Sequence, residues 1–165
     1  MTDRQMTDPR DALHLEHQLC FAVYSAAHAF TRFYRPLLTQ LGVTYPQYLV
    51  LLVLWEADGL SVTAIGERLL LDSGTLTPLL KRLENMQLLT RRRAADDERR
   101  MVVSLTEKGR ALQQVAADFP ANVHAASHCK ADDIAAMRSA LFDLRDKLDA
   151  ATARAAASPQ LGKTP

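Results

Sequence analysis

Residues 61–110 read SVTAIGERLLLDSGTLTPLLKRLENMQLLTRRRAADDERRMVVSLTEKGR. Ser61 or Thr63 is placed to cap a short helix carrying Ala64, Ile65 and Leu69. LLLDSGTLT is then a connector, in which Asp72 or Ser73 caps the next helix and Gly74 sits in its first turn. Leu76, Leu79, Leu80, Leu83 and Met86 make one apolar stripe and leave Ser73, Thr75, Thr77, Lys81 and Arg82 mostly on other faces. Pro78 conflicts with a helix that begins at Ser73, because its ring removes one internal bond. Either the start is nearer Thr77 or the first turn is distorted. Two strand-like runs follow, Leu88 to Arg93 and Arg99 to Leu105, around the charged tip Ala94-Ala95-Asp96-Asp97-Glu98. Thr106 caps a further helix, which Pro120 breaks.

Upstream, residues 1–10 form a flexible lead-in and residues 11–40 a long helix. Its apolar positions Leu13, Leu19, Val23, Ala26, Phe30, Phe33 and Leu37 recur at helical spacing, with Glu16 as the polar exception. Gly42 closes it, and Thr44-Tyr45-Pro46 starts another, since proline early in a helix removes a donor that would be an orphan anyway. That second helix, Gln47 to Ala57, is apolar on most faces and is expected at the centre of the fold. Downstream, Asp132 to Ala157 carries Ile134, Met137, Leu141, Leu144 and Leu148 at steps of 3, 4, 3 and 4, a seam that needs a partner in the same chain or in another. Residues 158–165 are a flexible tail.

The chain has 165 residues, 48% hydrophobic and 24% charged, which suits one domain, here residues 11–150. Such a length buries roughly 70% of the unfolded surface and holds a core without staples. Net charge is +1, so attraction of nucleic acid needs a local patch rather than a global field. Two cysteines are too few for a disulfide framework. The N-terminus lacks the apolar run of a secretory signal, and no stretch reaches the roughly 18 apolar residues of a spanning helix. The expectation is a cytoplasmic protein with no membrane contact.

Helix, helix, turn, helix and hairpin, in that order, are the elements of a winged helix-turn-helix. The fold class expected is mainly α with a small β-hairpin wing, built as a homodimer. Residues 11–40 and 106–157 would supply dimerisation helices, and 46–105 the DNA-binding region. A helix whose polar face carries small hydroxyls fits the major groove, while a basic hairpin reaches phosphate or the minor groove. Ten Lys or Arg face seven acids across 61–110, and Arg91, Arg92, Arg93, Arg99 and Arg100 all gather on or beside the hairpin. A two-fold dimer would then read a pseudo-palindrome in double-stranded DNA.

The stretches IGERLLLDSGTLTPLLKRLENMQLLTRRR and DDERRMVVSLTEKG resemble the MarR family of dimeric transcription regulators. The resemblance covers roughly residues 11–150. It implies that Ser73, Thr75, Thr77, Lys81 and Arg82 contact the major groove, and that Arg99, held by Asp97, enters the minor groove. Within the family, LCFAVYSAAHAFTRFYRPLLTQLGVTYPQYLVLLVLWE is similar to the organic-hydroperoxide-sensing (OhrR-type) regulators. That similarity implies that Cys20 is the reactive thiol, that Tyr34 and Tyr45 hydrogen-bond its thiolate, and that Tyr24 is a further nearby aromatic. Cys129 resembles the resolving cysteine of the two-cysteine subgroup.

Elementary geometry constrains this implication. Tyr24 is one helical turn from Cys20. Tyr34 follows Cys20 by 14 residues, about 21 Å along one helix. A Tyr34 that touches a Cys20 therefore touches the other chain's. A free thiol with a pKa of about 8.5 is mostly inert, and phenol donors favour the thiolate. The thiolate attacks a peroxide O–O bond to give a sulfenic acid, which a second thiol traps as a disulfide. Phe21, Phe30, Phe33 and Trp55 would favour an organic hydroperoxide over hydrogen peroxide. A disulfide needs Cα atoms about 4.4–6.8 Å apart, so helix movement on oxidation is expected.

Other signals are weaker. His124, His128 and Cys129, like His14 and His17, have ligand-like spacing, but nothing in sequence completes a site, so no metal and no cofactor is predicted. No phosphate-binding glycine loop or hydrolase motif occurs, and Asp132-Asp133 reads as a helix cap. Two alternatives remain: a repressor of the same fold induced by a phenolic or aromatic acid, and a thiol peroxidase using Cys20. The leading expectation is a non-enzymatic, peroxide-released repressor.

Overall fold

The computed structural model describes residues 13–94, 97 and 99–157. The lead-in and tail expected at 1–10 and 158–165 lie outside the described residues, as do 95, 96 and 98 of the wing tip. A 3-10 turn (Leu15–His17) leads to α1 (Leu19–Leu41) and α2 (Tyr45–Glu56). Then come β1 (Leu60–Ser61), α3 (Val62–Leu69), α4 (Ser73–Asn85), β2 (Leu89–Arg93) and β3 (Met101–Leu105). The chain continues through α5 (Glu107–Ala116), α6 (Phe119–Ser127) and α7 (Ala131–Ala157). It divides into two compact units, Met1–Phe119 and Pro120–Pro165.

In the first unit α2 is the central element. Gln47 is buried, yet its side-chain oxygen accepts the Thr44 N–H at 2.8 Å, which closes the helix start around Pro46. Tyr48, Val50, Leu51, Val53 and Leu54 of α2 are buried against Ile65, Leu76, Leu80, Leu83, Leu88, Leu89 and Val103. Removing this apolar surface from water is the main driving force for folding. The sheet has the order β1-β3-β2, antiparallel throughout, with Leu60 opposite Val103, Leu89 opposite Leu105 and Arg93 opposite Met101.

Several boundaries correct the sequence reading. The single helix expected over 11–40 is interrupted. His17 and Gln18 close the 3-10 turn, Gln18 takes an extended backbone, and its carbonyl accepts the first N–H groups of α1. The strands are shorter than expected, and the pairing strand β1 was hidden under the capping signal of Ser61. Ser61 does cap α3, accepting the Ala64 N–H at 3.1 Å. The α5 helix ends ahead of Pro120, at Ala116, and Pro120 lies in the first turn of α6. The turn from α3 to α4 is tight: Leu70 is left-handed at φ 56°, and a Cβ on Gly66 would meet the Leu71 carbonyl oxygen at 2.8 Å. Only glycine at 66 permits that approach.

In the second unit α7 has no buried residue over 27 positions. Ile134 and Leu144 are half-buried, whereas Met137, Leu141, Phe142 and Leu148 are exposed. The seam read from sequence is thus apolar surface that one chain leaves uncovered. Among the described residues no single helix is long and apolar enough to cross a membrane, and no group of three or more His, Cys, Asp or Glu is placed to hold a metal.

Candidate functional site

The α4 helix begins at Ser73 despite Pro78. Asp72 caps it, its carboxylate accepting the Thr75 N–H at 2.8 Å and the Thr75 hydroxyl at 3.1 Å. These bonds hold the Asp72 carboxyl below its ordinary value. Pro78 forfeits one bond to the Gly74 carbonyl, and the cap together with the buried Leu76, Leu80 and Leu83 outweighs that loss. The opposite face is exposed and carries Ser73, Thr75, Thr77, Lys81 and Arg82. Ser73, Thr77 and Lys81 follow one another at four-residue steps, which aligns them along the helix.

The wing is fixed at both ends. At its tip the Asp97 carboxylate accepts the backbone N–H of Arg99 at 2.9 Å, and the Ala94 N–H donates to the Arg100 carbonyl at 2.8 Å. Asp97 therefore holds Arg99 through its main chain, and the Arg99 side chain is exposed. Arg91, counted with the basic hairpin residues by sequence, is instead clamped to α4. Its Nε and Nη2 donate to Glu84 at 2.9 and 2.6 Å, and its backbone N–H to the other carboxylate oxygen at 3.1 Å. The Arg91 hydrogen bonds hold the Glu84 carboxyl below its usual range.

At the wing base Asp58 accepts the N–H groups of Gly59 and Leu105, both at 2.8 Å, and pairs with Arg110. The Thr106 hydroxyl donates to the Gln87 carbonyl at 2.7 Å and Lys108 Nζ to the Met86 carbonyl at 3.0 Å, which satisfies carbonyls at the end of α4.

The thiol and the phenol cluster lie apart: Cys20 is at the start of α1, and the cluster is formed by Tyr34 in the second half of α1 with Tyr45 and Tyr48 of α2. Cys20 is exposed near its start, with Tyr24 one turn on. The Tyr24 ring packs on His28 at 4.3 Å and stacks with Phe21 at 6.4 Å. Tyr34 lies in the second half of the helix, about 21 Å from Cys20 by helical rise. There its ring meets Tyr45 at 5.3 Å and Tyr48 at 5.7 Å. Tyr48 is the member the sequence reading missed, because it was absorbed into the apolar run of α2. Its three-residue spacing from Tyr45 was the available signal. Burial, then the neighbouring Tyr34 and Tyr45, pushes Tyr48 up to about 12. Tyr34 is raised by burial and by Tyr45, and Tyr45 by burial. All three phenols thus keep their protons at neutral pH and remain hydrogen-bond donors.

Leu19, Val23, Phe30 and Phe33 leave an exposed apolar face along α1. The Trp55 indole N–H donates to the Gly109 carbonyl at 2.9 Å. Cys129 lies in the second unit, in the turn after α6, where its backbone N–H meets the Ser127 hydroxyl at 3.3 Å and its thiol the Ser127 carbonyl at 3.4 Å.

Comparison with known proteins places this arrangement. Residues 32–115 match the family described as transcriptional regulator SarA/Rot. The organic hydroperoxide resistance transcriptional regulator of Bacillus subtilis (strain 168) is 46% identical over 143 residues, covering 87% of this chain and 97% of that protein. The HTH-type transcriptional regulator TtmR of Methylorubrum extorquens (strain PA1) is 53% identical over 150 residues, covering 91% of this chain and 75% of that one. Among solved structures, reduced AbfR bound to DNA superposes with a TM-score of 0.69 at 36% identity, over 86% of this chain and 98% of that one. Disulfide-formed AbfR gives 0.57 at 38% identity, over 82% and 95%; AbfR is a protein of Staphylococcus epidermidis. The chain belongs to the MarR/SarA winged-helix family of DNA-binding transcriptional regulators.

Proposed function

We propose that this regulator is a repressor that binds operator DNA as a reduced homodimer and releases it when organic hydroperoxide oxidises Cys20. The observation that carries the reading is the separation of parts within one chain. The Cys20 nucleophile stands at the start of α1, whereas the proton-holding donors lie well away from it, Tyr34 in the second half of α1 against Tyr45 at the start of α2, each on exposed or half-exposed surface. Two copies with antiparallel α1 helices bring Cys20 of one to Tyr34 and Tyr45 of the other. The α1 and α5–α7 segments (11–40 and 106–157) supply the dimer contacts, and 46–105 the reading heads. Ser73, Thr75, Thr77, Lys81 and Arg82 meet the major groove, and Arg99, positioned by Asp97, the minor groove.

The chemistry balances. The Cys20 thiolate attacks the hydroxyl oxygen of ROOH, the O–O bond breaks, and the alkoxide takes a proton and leaves as ROH. Sulfur loses two electrons and becomes the sulfenic acid. The Cys129 thiol of the other chain then displaces water to form the disulfide, its proton leaving with the hydroxyl group. Loss of the thiolate removes the acceptor of the phenol bonds, and a shift of a few kcal/mol between dimer forms is enough for at least tenfold release. The names of the Bacillus relative and of the AbfR states support this reading.

The test is DNA binding of wild type and Cys20→Ser before and after one equivalent of cumene hydroperoxide. Cys20→Ser is expected to bind DNA and ignore peroxide. Peroxide-driven release from that variant overturns the proposal. On a gel without reductant, oxidised wild type runs as a covalent two-chain species that Cys129→Ser does not form.

A further inference from the structure

The phenol cluster and the wing are joined by a continuous line of contacts within the first unit. Tyr34 and Tyr45 lie against Tyr48, with ring centroids 5.7 and 6.4 Å away. Two turns further along α2, Trp55 packs edge-to-face with Tyr48, ring centroids 6.1 Å apart at 68°. The Trp55 indole N–H reaches 54 positions down the chain to the Gly109 carbonyl, at 2.9 Å. Gly109 is buried so tightly on the entry to the wing that an added Cβ would sit 2.0 Å from the Leu88 carbonyl oxygen. That same carbonyl accepts the Thr106 N–H at 3.1 Å, where β3 hands over to α5, and β2 begins at the next residue, Leu89. Every link is stiff: ring on ring, one directional hydrogen bond, then backbone on backbone. Close-packed links of this kind transmit displacement rather than absorb it.

We propose that Tyr48, Trp55 and Gly109 are the positioning line through which the phenol pair sets the base of the wing. This rests on the thiol switch proposed above. When Tyr34 and Tyr45 lose their bonds to the partner's Cys20, Tyr48 shifts with them, and the indole carries the shift to Gly109 and Leu88. Trp55 touches neither thiol nor DNA in this scheme. Cutting its hydrogen bond therefore uncouples the two sites and leaves each working.

The test uses full-length protein, a duplex selected for binding to the reduced form, and cumene hydroperoxide. Trp55→Phe keeps a ring against Tyr48 and removes the N–H donor. Three quantities are read: the rate of Cys20 thiol loss, the affinity of the reduced form, and the ratio of oxidised to reduced dissociation constants. The expected result is thiol loss and reduced affinity like wild type, with the ratio lowered by about fivefold or more. An unchanged ratio overturns the line while leaving the switch intact. So does slowed oxidation, or a reduced variant that already binds as weakly as oxidised wild type. A wild-type protein that never releases DNA overturns the switch, and the line with it. Trp55 is the chain's single tryptophan, so the unmodified protein gives a readout that needs no Trp55 variant. Its emission is expected to change in step with thiol loss and to stay constant in Cys20→Ser; constant emission in oxidised wild type overturns the proposal.

Discussion

Gly109→Ala gives the sharpest test of how the wing is anchored. The new Cβ would stand 2.0 Å from the Leu88 carbonyl oxygen and 3.0 Å from its carbon, so backbone must move. Overpacking costs about 1–3 kcal/mol, and the upper part of that range applies because the obstacle is main chain rather than a flexible side-chain end. Displacing the Leu88 carbonyl also strains its bond from Thr106, at 3.1 Å, worth about 1 kcal/mol. Alanine's helix propensity returns at most about 1 kcal/mol. The net loss is about 2–3 kcal/mol, and at about 2–4 °C per kcal/mol for a chain of this size the melting temperature falls by about 4–12 °C. Circular dichroism melting of the reduced protein measures it. A variant that melts at or above the wild-type temperature refutes the close approach. The same displacement moves the wing base, so DNA affinity is expected to fall more than after a surface substitution of similar thermal effect.

Further predictions test other parts. Arg99→Ala should weaken DNA binding by about 1–3 kcal/mol, whereas Arg91→Ala should leave the salt slope of binding unchanged, because Glu84 holds that guanidinium; titrations at several salt concentrations separate the two. For Asp58, partial burial works to raise the carboxyl, but the N–H groups of Leu105 and Gly59 and the Arg110 guanidinium hold it below its ordinary 3.8. A depressed folded value stabilises the fold above the ordinary carboxyl range and is lost as pH falls through the folded value. Melting temperature should therefore drop on acidification below about pH 4, and Asp58→Asn should be less stable at neutral pH with a flatter acid limb. Met137→Glu combined with Leu141→Glu should give a monomer by sedimentation velocity, since both side chains lie on the uncovered seam of α7; an unchanged dimer counts against that seam as an interface.

The sequence displayed what depends on neighbours three or four residues away. The stripe of Leu76, Leu80 and Leu83, the cap at Asp72, the start at Thr44 and the cap at Thr106 are local patterns, and each stands in the structure. The elements it concealed depend on distant partners. β1 is two residues long and exists only because Val102 and Val103 pair with it. Arg91 looks like one more wing cation until Glu84, seven positions earlier, is seen to hold it through three bonds. Tyr48 looked like core filler and Trp55 like apolar lining, because an apolar run does not reveal which of its members packs into a ring cluster or carries a directional bond. Pro78 left the start of α4 open in the sequence: it does lower helix propensity, and the structure starts the helix at Ser73 because cap and burial together exceed the bond it removes.

The proposed cross-subunit pocket can be tested by complementation. Consider a hybrid dimer of one Cys20→Ser chain and one Tyr34→Phe chain. If the phenol acts across the twofold, the surviving Cys20, on the Tyr34→Phe chain, faces the intact Tyr34 of the Cys20→Ser chain. That thiol then oxidises at the wild-type rate, although the Tyr34→Phe homodimer oxidises slowly. If instead the phenol served its own chain, the same thiol would face the ring that has lost its hydroxyl and stay slow. Helical rise already places Tyr34 about 21 Å from its own Cys20, and α1 runs unbroken between them. Differential tags on the two chains isolate the hybrid, and thiol loss under limiting cumene hydroperoxide reads the rate. A hybrid as slow as the Tyr34→Phe homodimer would show that the phenol reaches the sulfur by no route this helix allows, and the antiparallel pairing of α1 would have to be abandoned.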